Sequence, residues 1–126
     1  MRLLVVDDDM AIVNLLSLLL KDFGYEVDPA YDGIEAIERF KSSLYDVAII
    51  DDIMPNMNGS EVCKFIKSHY PNTYIIGISG YSESLKKLKN GGADICLIKP
   101  FSIEQIETAI KNQSCLPLPN TYSTAS

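Results

Sequence analysis

Short apolar runs alternate along the chain with longer, spaced apolar patterns. LLVV (3–6), VAII (47–50), YIIGI (74–78) and ICLI (95–98) are β-prone and bounded by polar or turn residues. They read as strands buried on both faces. YEVDPA (25–30) alternates and holds Pro29, which suits an edge strand. Between these runs the spacing is helical. Ile12, Leu15, Leu16 and Leu19 form the inward face of a first helix, and Ile34, Ile37 and Phe40 that of a second. Val62, Phe65 and Ile66 mark a third helix, and Leu85 and Leu88 a short fourth. Ile103, Ile106 and Ile110 mark a fifth, with Glu104, Glu107 and Lys111 facing water. Gly24 and the pair Gly91–Gly92 are helix stops.

A strand followed by a helix, five times over, predicts an α/β fold whose parallel sheet is covered by helices on both faces. Right-handed crossovers restrict its topology. From residue 114 the pattern fails. SCLPLPNTYSTAS has no period and is rich in Pro, Ser and Thr, so 114–126 is expected to be a disordered tail or linker stub after one domain at 1–113.

Composition narrows the function classes. A chain of 126 residues, 47% hydrophobic, suits one core. Its net charge of −6 argues against non-specific binding to nucleic acid or anionic membrane. Lys86, Lys87 and Lys89 read as a solvated helix face. AIVNLLSLLL is shorter than the ~20 residues of a membrane span and carries Asn14 and Ser17. MRLLVV is strand-like and runs straight into acids, unlike a signal peptide. Cys63, Cys96 and Cys115 are scattered without a CxxC pair, which suits reduced thiols in the cytoplasm. Cys63 and Cys96 are expected to be small core fillers.

The candidate chemistry falls at the C-terminal ends of the expected strands. Asp7, Asp8 and Asp9 follow the first, Asp51 and Asp52 the third, Ser79 the fourth and Lys99 the fifth. In open α/β sheets ligands bind at that edge, where strand order reverses. Clustered carboxylates repel unless cations sit among them. Lys99 supplies one charge, and a divalent ion would supply the rest. Oxygen-only donors favour Mg2+, which suits phosphoryl transfer. Asp9 is expected to cap the first helix. Asp52 is expected to face solvent, since adjacent strand residues point to opposite sides. His69 reads as an exposed helix-end residue.

LLVVDD (3–8), YDVAIIDDIMPNMNG (45–59), IIGISG (75–80) and GADICLIKPF (92–101) together resemble the response-regulator receiver domain of two-component signalling. The resemblance covers residues 2–113. It implies a flavodoxin-like, doubly wound (βα)5 sandwich with strand order 2-1-3-4-5. It implies that Asp51, followed by x-x-Met-Pro, accepts the phosphoryl group. Asp8 then binds Mg2+ directly, Asp7 largely through water, and the Ile53 backbone carbonyl is a third protein ligand beside Asp51. Ser79 takes the hydroxyl position, Lys99 the lysine before a cis proline, and Gly59 the glycine closing the acceptor loop. Cys96 stands where the family usually has an aromatic, and Ile53 and Tyr81 are bulky at positions flanking the acceptor.

The function implied is a phosphorylation-dependent switch whose only catalysis is on itself. Its donor would be a histidine kinase or histidine phosphotransfer protein, and its signalling face the fourth helix, fifth strand and fifth helix. It would act as a monomer or a phosphorylation-dependent dimer. No output domain is visible, so the chain is either a single-domain regulator or part of a longer protein. Two rivals stand beside this reading. DDDMA (7–11) partly resembles the nucleophile motif of haloacid-dehalogenase-type phosphatases, though Ala11 replaces its Thr or Val. A pseudo-receiver, purely an interaction module, is the other.

Overall fold

The computed structural model describes residues 1–115. Five strands, β1 (Arg2–Val6), β2 (Glu26–Ala30), β3 (Val47–Asp51), β4 (Tyr74–Ser79) and β5 (Ile95–Ile98), alternate with five helices. These are α1 (Met10–Asp22), α2 (Gly33–Ser42), α3 (Gly59–His69), α4 (Ser82–Gly91) and α5 (Ile103–Cys115). The strands form one parallel sheet of order β2-β1-β3-β4-β5, which is the flavodoxin-like order expected. Helix α5 runs to Cys115, and the rest of the expected tail, 116–126, lies outside the described residues.

Alternation along the central strands divides the core in two. Leu4, Val6, Ala48, Ile50 and Ile75 face the side holding α2, α3 and α4. Leu3, Val5, Val47, Ile49, Ile76 and Ile78 face α1 and α5. Side-chain caps fix where helices begin: Asp9 accepts from the Ala11 and Ile12 amides, and Asn58 forms a capping box with Glu61. Gly24 and Gly92, at φ 94° and 121°, end α1 and α4 in the left-handed region.

Four expectations about packing need correction. Helix α1 buries Val13, Leu16, Ser17 and Leu20, leaving Leu15 58% exposed. Helix α2 buries Gly33, Ala36 and Phe40, leaving Ile34 exposed. Leu, Ile and Val are plentiful around α1, so spacing alone does not phase it; contact with the sheet does. In α2 small residues are inside because the helix lies close to its neighbours. Strand β5 is only partly buried, because it is an edge. Glu107 does not face water: its carboxylate takes the Tyr25 hydroxyl at 2.7 Å and its side chain is 13% exposed.

Candidate functional site

The strand order reverses between β1 and β3, so their C-terminal ends open a crevice. Asp7 and Asp8 enter it from β1 and Asp51 from β3. One carboxylate oxygen from each lies within 4.8 Å of the others. Asp7 and Asp51 are buried and Asp8 is exposed. From the other side Lys99 brings its Nζ to 2.8 Å from Asp51 Oδ1 and 3.6 Å from Asp7 Oδ2. The Lys99–Pro100 peptide is cis, as expected.

The charges do not balance. Burial raises the Asp7 pKa to about 6, and the Asp51 charge adds to the rise, against the Asp9 amide that donates to Asp7 Oδ1 at 3.0 Å. Burial also raises Asp51, opposed by Lys99 and supported by Asp8. Lys99 loses charge stability through burial, yet the Asp51 and Asp7 carboxylates outweigh that and raise its pKa. Among the described residues, Asp7 Oδ2 is buried without a hydrogen-bond donor. A cluster of three carboxylates, one with an orphaned oxygen, fits a hard divalent cation such as Mg2+.

Beside this cluster lies a cleft of about 290 Å³ lined by Asp51, Asp52, Ile53, Ser79, Gly80, Tyr81 and Lys99. Ser79 is 1% exposed, and its Oγ accepts the Tyr81 amide at 3.0 Å. The Lys99 amide donates to the Ser79 carbonyl at 2.8 Å, tying the β5 end to the β4 end. Ile53 and Tyr81 are each 61% exposed at the rim. Gly59 starts α3 because a Cβ there would collide with the Asp51 carbonyl and come within 3.0 Å of Asp52 Cα. Its amide closes the loop onto the Asp52 carbonyl at 2.8 Å.

Asp52 departs from expectation. It is 7% exposed rather than solvent-facing. The opposite side of a central strand is another buried layer, so pointing away from Asp51 does not lead to water. The alternation that excluded Asp52 from Asp51's face was the signal that should have placed it under α3 and α4. Cys96 is half-buried with its Sγ 3.6 Å from the Leu85 carbonyl, and Cys63 is fully buried. His69 is an exposed helix-end residue stacked on Phe65 at 4.2 Å, far in the fold from these acids.

Residues 3–111 match the family model "Response regulator receiver domain". The chain is 34% identical over 112 residues to "Response regulator ArlR" of Staphylococcus saprophyticus, covering 87% of this chain and 50% of that one. It is 36% identical over 114 residues to "Transcriptional regulatory protein DltR" of Streptococcus agalactiae, covering 88% and 50%. The chain thus spans about half the length of the curated relatives it matches. Among solved structures it is similar to the response regulator TrrA of Thermotoga maritima in complex with Mg2+-BeF, at TM-score 0.82 and 36% identity, covering 89% of this chain and 97% of that one. It is also similar to the Francisella response regulator 1452 receiver domain, at TM-score 0.83 and 29% identity, covering 92% and 98%. Among the described residues, no helix is long and apolar enough to cross a membrane.

Proposed function

The chain belongs to the response-regulator receiver family, and from that premise we propose that Asp51 is the phosphoacceptor of a two-component switch. The observation that carries this is the pairing of a buried Asp51 with Lys99 at 2.8 Å inside a cluster of three carboxylates. Membership of this family sets aside the dehalogenase-type phosphatase reading of DDDMA. Asp8, Asp51 and the Ile53 carbonyl would hold Mg2+, with Asp7 acting largely through water. Bound there, the ion supplies charge neutralisation to a phosphoryl group in transfer.

The residues divide the remaining work. An Asp51 carboxylate oxygen attacks phosphorus in line; the new P–O bond forms as the donor's P–N bond breaks, and the imidazole nitrogen keeps the electron pair. Lys99, held inward by Asp51, offsets charge on the phosphoryl oxygens. Ser79 donates its hydroxyl proton to one of them. The aspartyl phosphate then adds about two negative charges beside the loop that carries Ser79, Gly80 and Tyr81, and the face built by α4, β5 and α5 changes with it. Water later cleaves the acyl phosphate. Ile53 and Tyr81 stand at the cleft rim and slow that water's approach. Cys96, small and with a single side-chain torsion, sweeps little surface, which leaves Tyr81 as the aromatic near the cleft able to move.

A histidine kinase or histidine phosphotransfer protein would be the donor, and a cytoplasmic setting suits the free thiols Cys63 and Cys96. Incubation with acetyl phosphate and Mg2+, then borohydride trapping and mass spectrometry, tests the assignment. Label on Asp51, and its loss in Asp51→Asn, is the expected result. Label on Asp52 or His69 contradicts it, and failure to bind Mg2+ would favour the pseudo-receiver reading.

A further inference from the structure

The receiver reading leaves Asp52 without a role. It is buried, and it lines the cleft together with Ser79, Gly80 and Tyr81. Strands β3 and β4 pair with Asp51 opposite Ile78, and the Asp52 amide continues the ladder to the Ile78 carbonyl at 2.9 Å. Faces alternate along a strand. Asp51 therefore shares the α1–α5 side with Ile78, while the next positions, Asp52 and Ser79, share the side of Ile50 and α2–α4. In register, Ser79 starts beside Asp52.

Two groups with unused hydrogen-bonding capacity line that side of the cleft. The Ser79 Oγ accepts from the Tyr81 amide, and a hydroxyl that accepts still has one proton to give. Among the described residues, no donor is bonded to the Asp52 carboxylate. Lys99 is held by Asp51 and Asp7. An unpaired carboxylate gains from a charge-assisted hydrogen bond, and Ser79 is the hydroxyl that lies next to it in strand register and lines the same cleft.

We propose that Asp52 is a positioning residue that competes with the phosphoryl group on Asp51 for the Ser79 hydroxyl proton. It thereby biases the unphosphorylated arrangement. The proposal rests on Asp51 being the acceptor. Ser79 has one proton and two candidate acceptors, so stabilising one arrangement opposes the other. The more highly charged phosphoryl group prevails, and Asp52 sets by how much.

The test uses the full chain with Mg2+ and beryllofluoride, a phosphoryl mimic, titrated while the Tyr81 amide resonance is followed by NMR. That amide reports on the Ser79 hydroxyl directly. Asp52→Asn is expected to bind beryllofluoride about three- to tenfold more tightly than wild type, the net range an ordinary hydrogen bond spans, because the Asn side-chain oxygen still accepts weakly. Asp52→Leu, which removes the acceptor altogether, should gain at least as much. In a Ser79→Ala background the Asp52→Asn gain should vanish. If it persists there, charge repulsion rather than competition for the hydroxyl is at work and the proposal is overturned. It is also overturned if Asp52→Asn gains nothing with Ser79 present. Should Asp52→Leu fail to fold, the isosteric Asn variant decides alone. Absence of beryllofluoride binding by the wild-type chain overturns the Asp51 reading, and the proposal with it.

Discussion

The two ends of the sheet treat acids in opposite ways. Toward the N-terminal end and along the edge strand β2, the acids Asp46, Asp28 and Asp94 each have a donor. Asp46 accepts the Arg2 amide at 2.8 Å, and Asp28 accepts the Tyr45 hydroxyl at 2.7 Å. Asp94 takes both the Ile75 amide and Lys67 Nζ at 2.8 Å. At the C-terminal end Asp7, Asp8 and Asp51 crowd together around Lys99. Acids at the first end hold strands and loops in place. Those at the second are kept in a mismatch that an added cation or a proton relieves, and a mismatch of that kind is what a binding site requires.

Three substitutions probe this contrast, in order of decreasing effect. Gly59→Ala pushes a methyl group into the Asp51 carbonyl and the Asp52 backbone. Backbone cannot yield as a side chain does, so a loss of about 3 kcal/mol or more is expected by urea denaturation. A neutral result would mean that the acceptor loop is loosely held.

Asp7→Asn is expected to act in the opposite direction. A carboxyl whose folded pKa is raised to about 6 from 3.8 contributes its stability fully below about pH 4 and loses it as pH rises through 6. Without metal at pH 7.5, Asn should therefore stabilise the domain by about 1–3 kcal/mol. The gap should narrow toward pH 4. Mg2+ should narrow it too, because the ion relieves the wild-type carboxylate. Equal thermal midpoints at pH 7.5 without metal would show that the acidic end is not mismatched. Asp46→Ala, at the matched end, should lower stability by about 1 kcal/mol through the lost Arg2 amide bond, with little dependence on Mg2+.

The site was legible because its residues end strands, and strand ends are set by short apolar runs that periodicity locates well. Asp7, Asp8, Asp51, Ser79 and Lys99 all converge as their positions implied. Faces were less legible. Leu15 and Ile34 are exposed while Val13 and Ala36 are buried, since a helix with apolar residues around its circumference is phased by its neighbours and not by its own spacing. Asp52 was misplaced for a related reason. Alternation tells which side a residue takes, but only the three-layer packing tells whether that side is wet. The covering of β5, an edge strand, likewise depends on its neighbours.

Helix α4 is clamped unevenly. Of its ten residues, Leu88 and Gly91 are buried, both in its C-terminal half. Leu88 reaches to 3.0 Å from where a Gly59 Cβ would stand, and Gly91 lies so close to α3 that a Cβ would come 2.7 Å from the Ser60 carbonyl. Its other end begins at Tyr81, which makes no side-chain cap, two residues after Ser79. Mechanically this is a cantilever, fixed near Leu88 and more loosely held beside the cleft, where Leu85 is half-buried and its carbonyl takes the Cys96 thiol. At 1.5 Å per residue its free arm is about 9 Å long, so a shift of about 1 Å at the tip tilts it by roughly 6°. A hydrogen-bond-sized movement at Ser79 would thus reorient the exposed Lys86 and Lys87 about the Leu88 anchor.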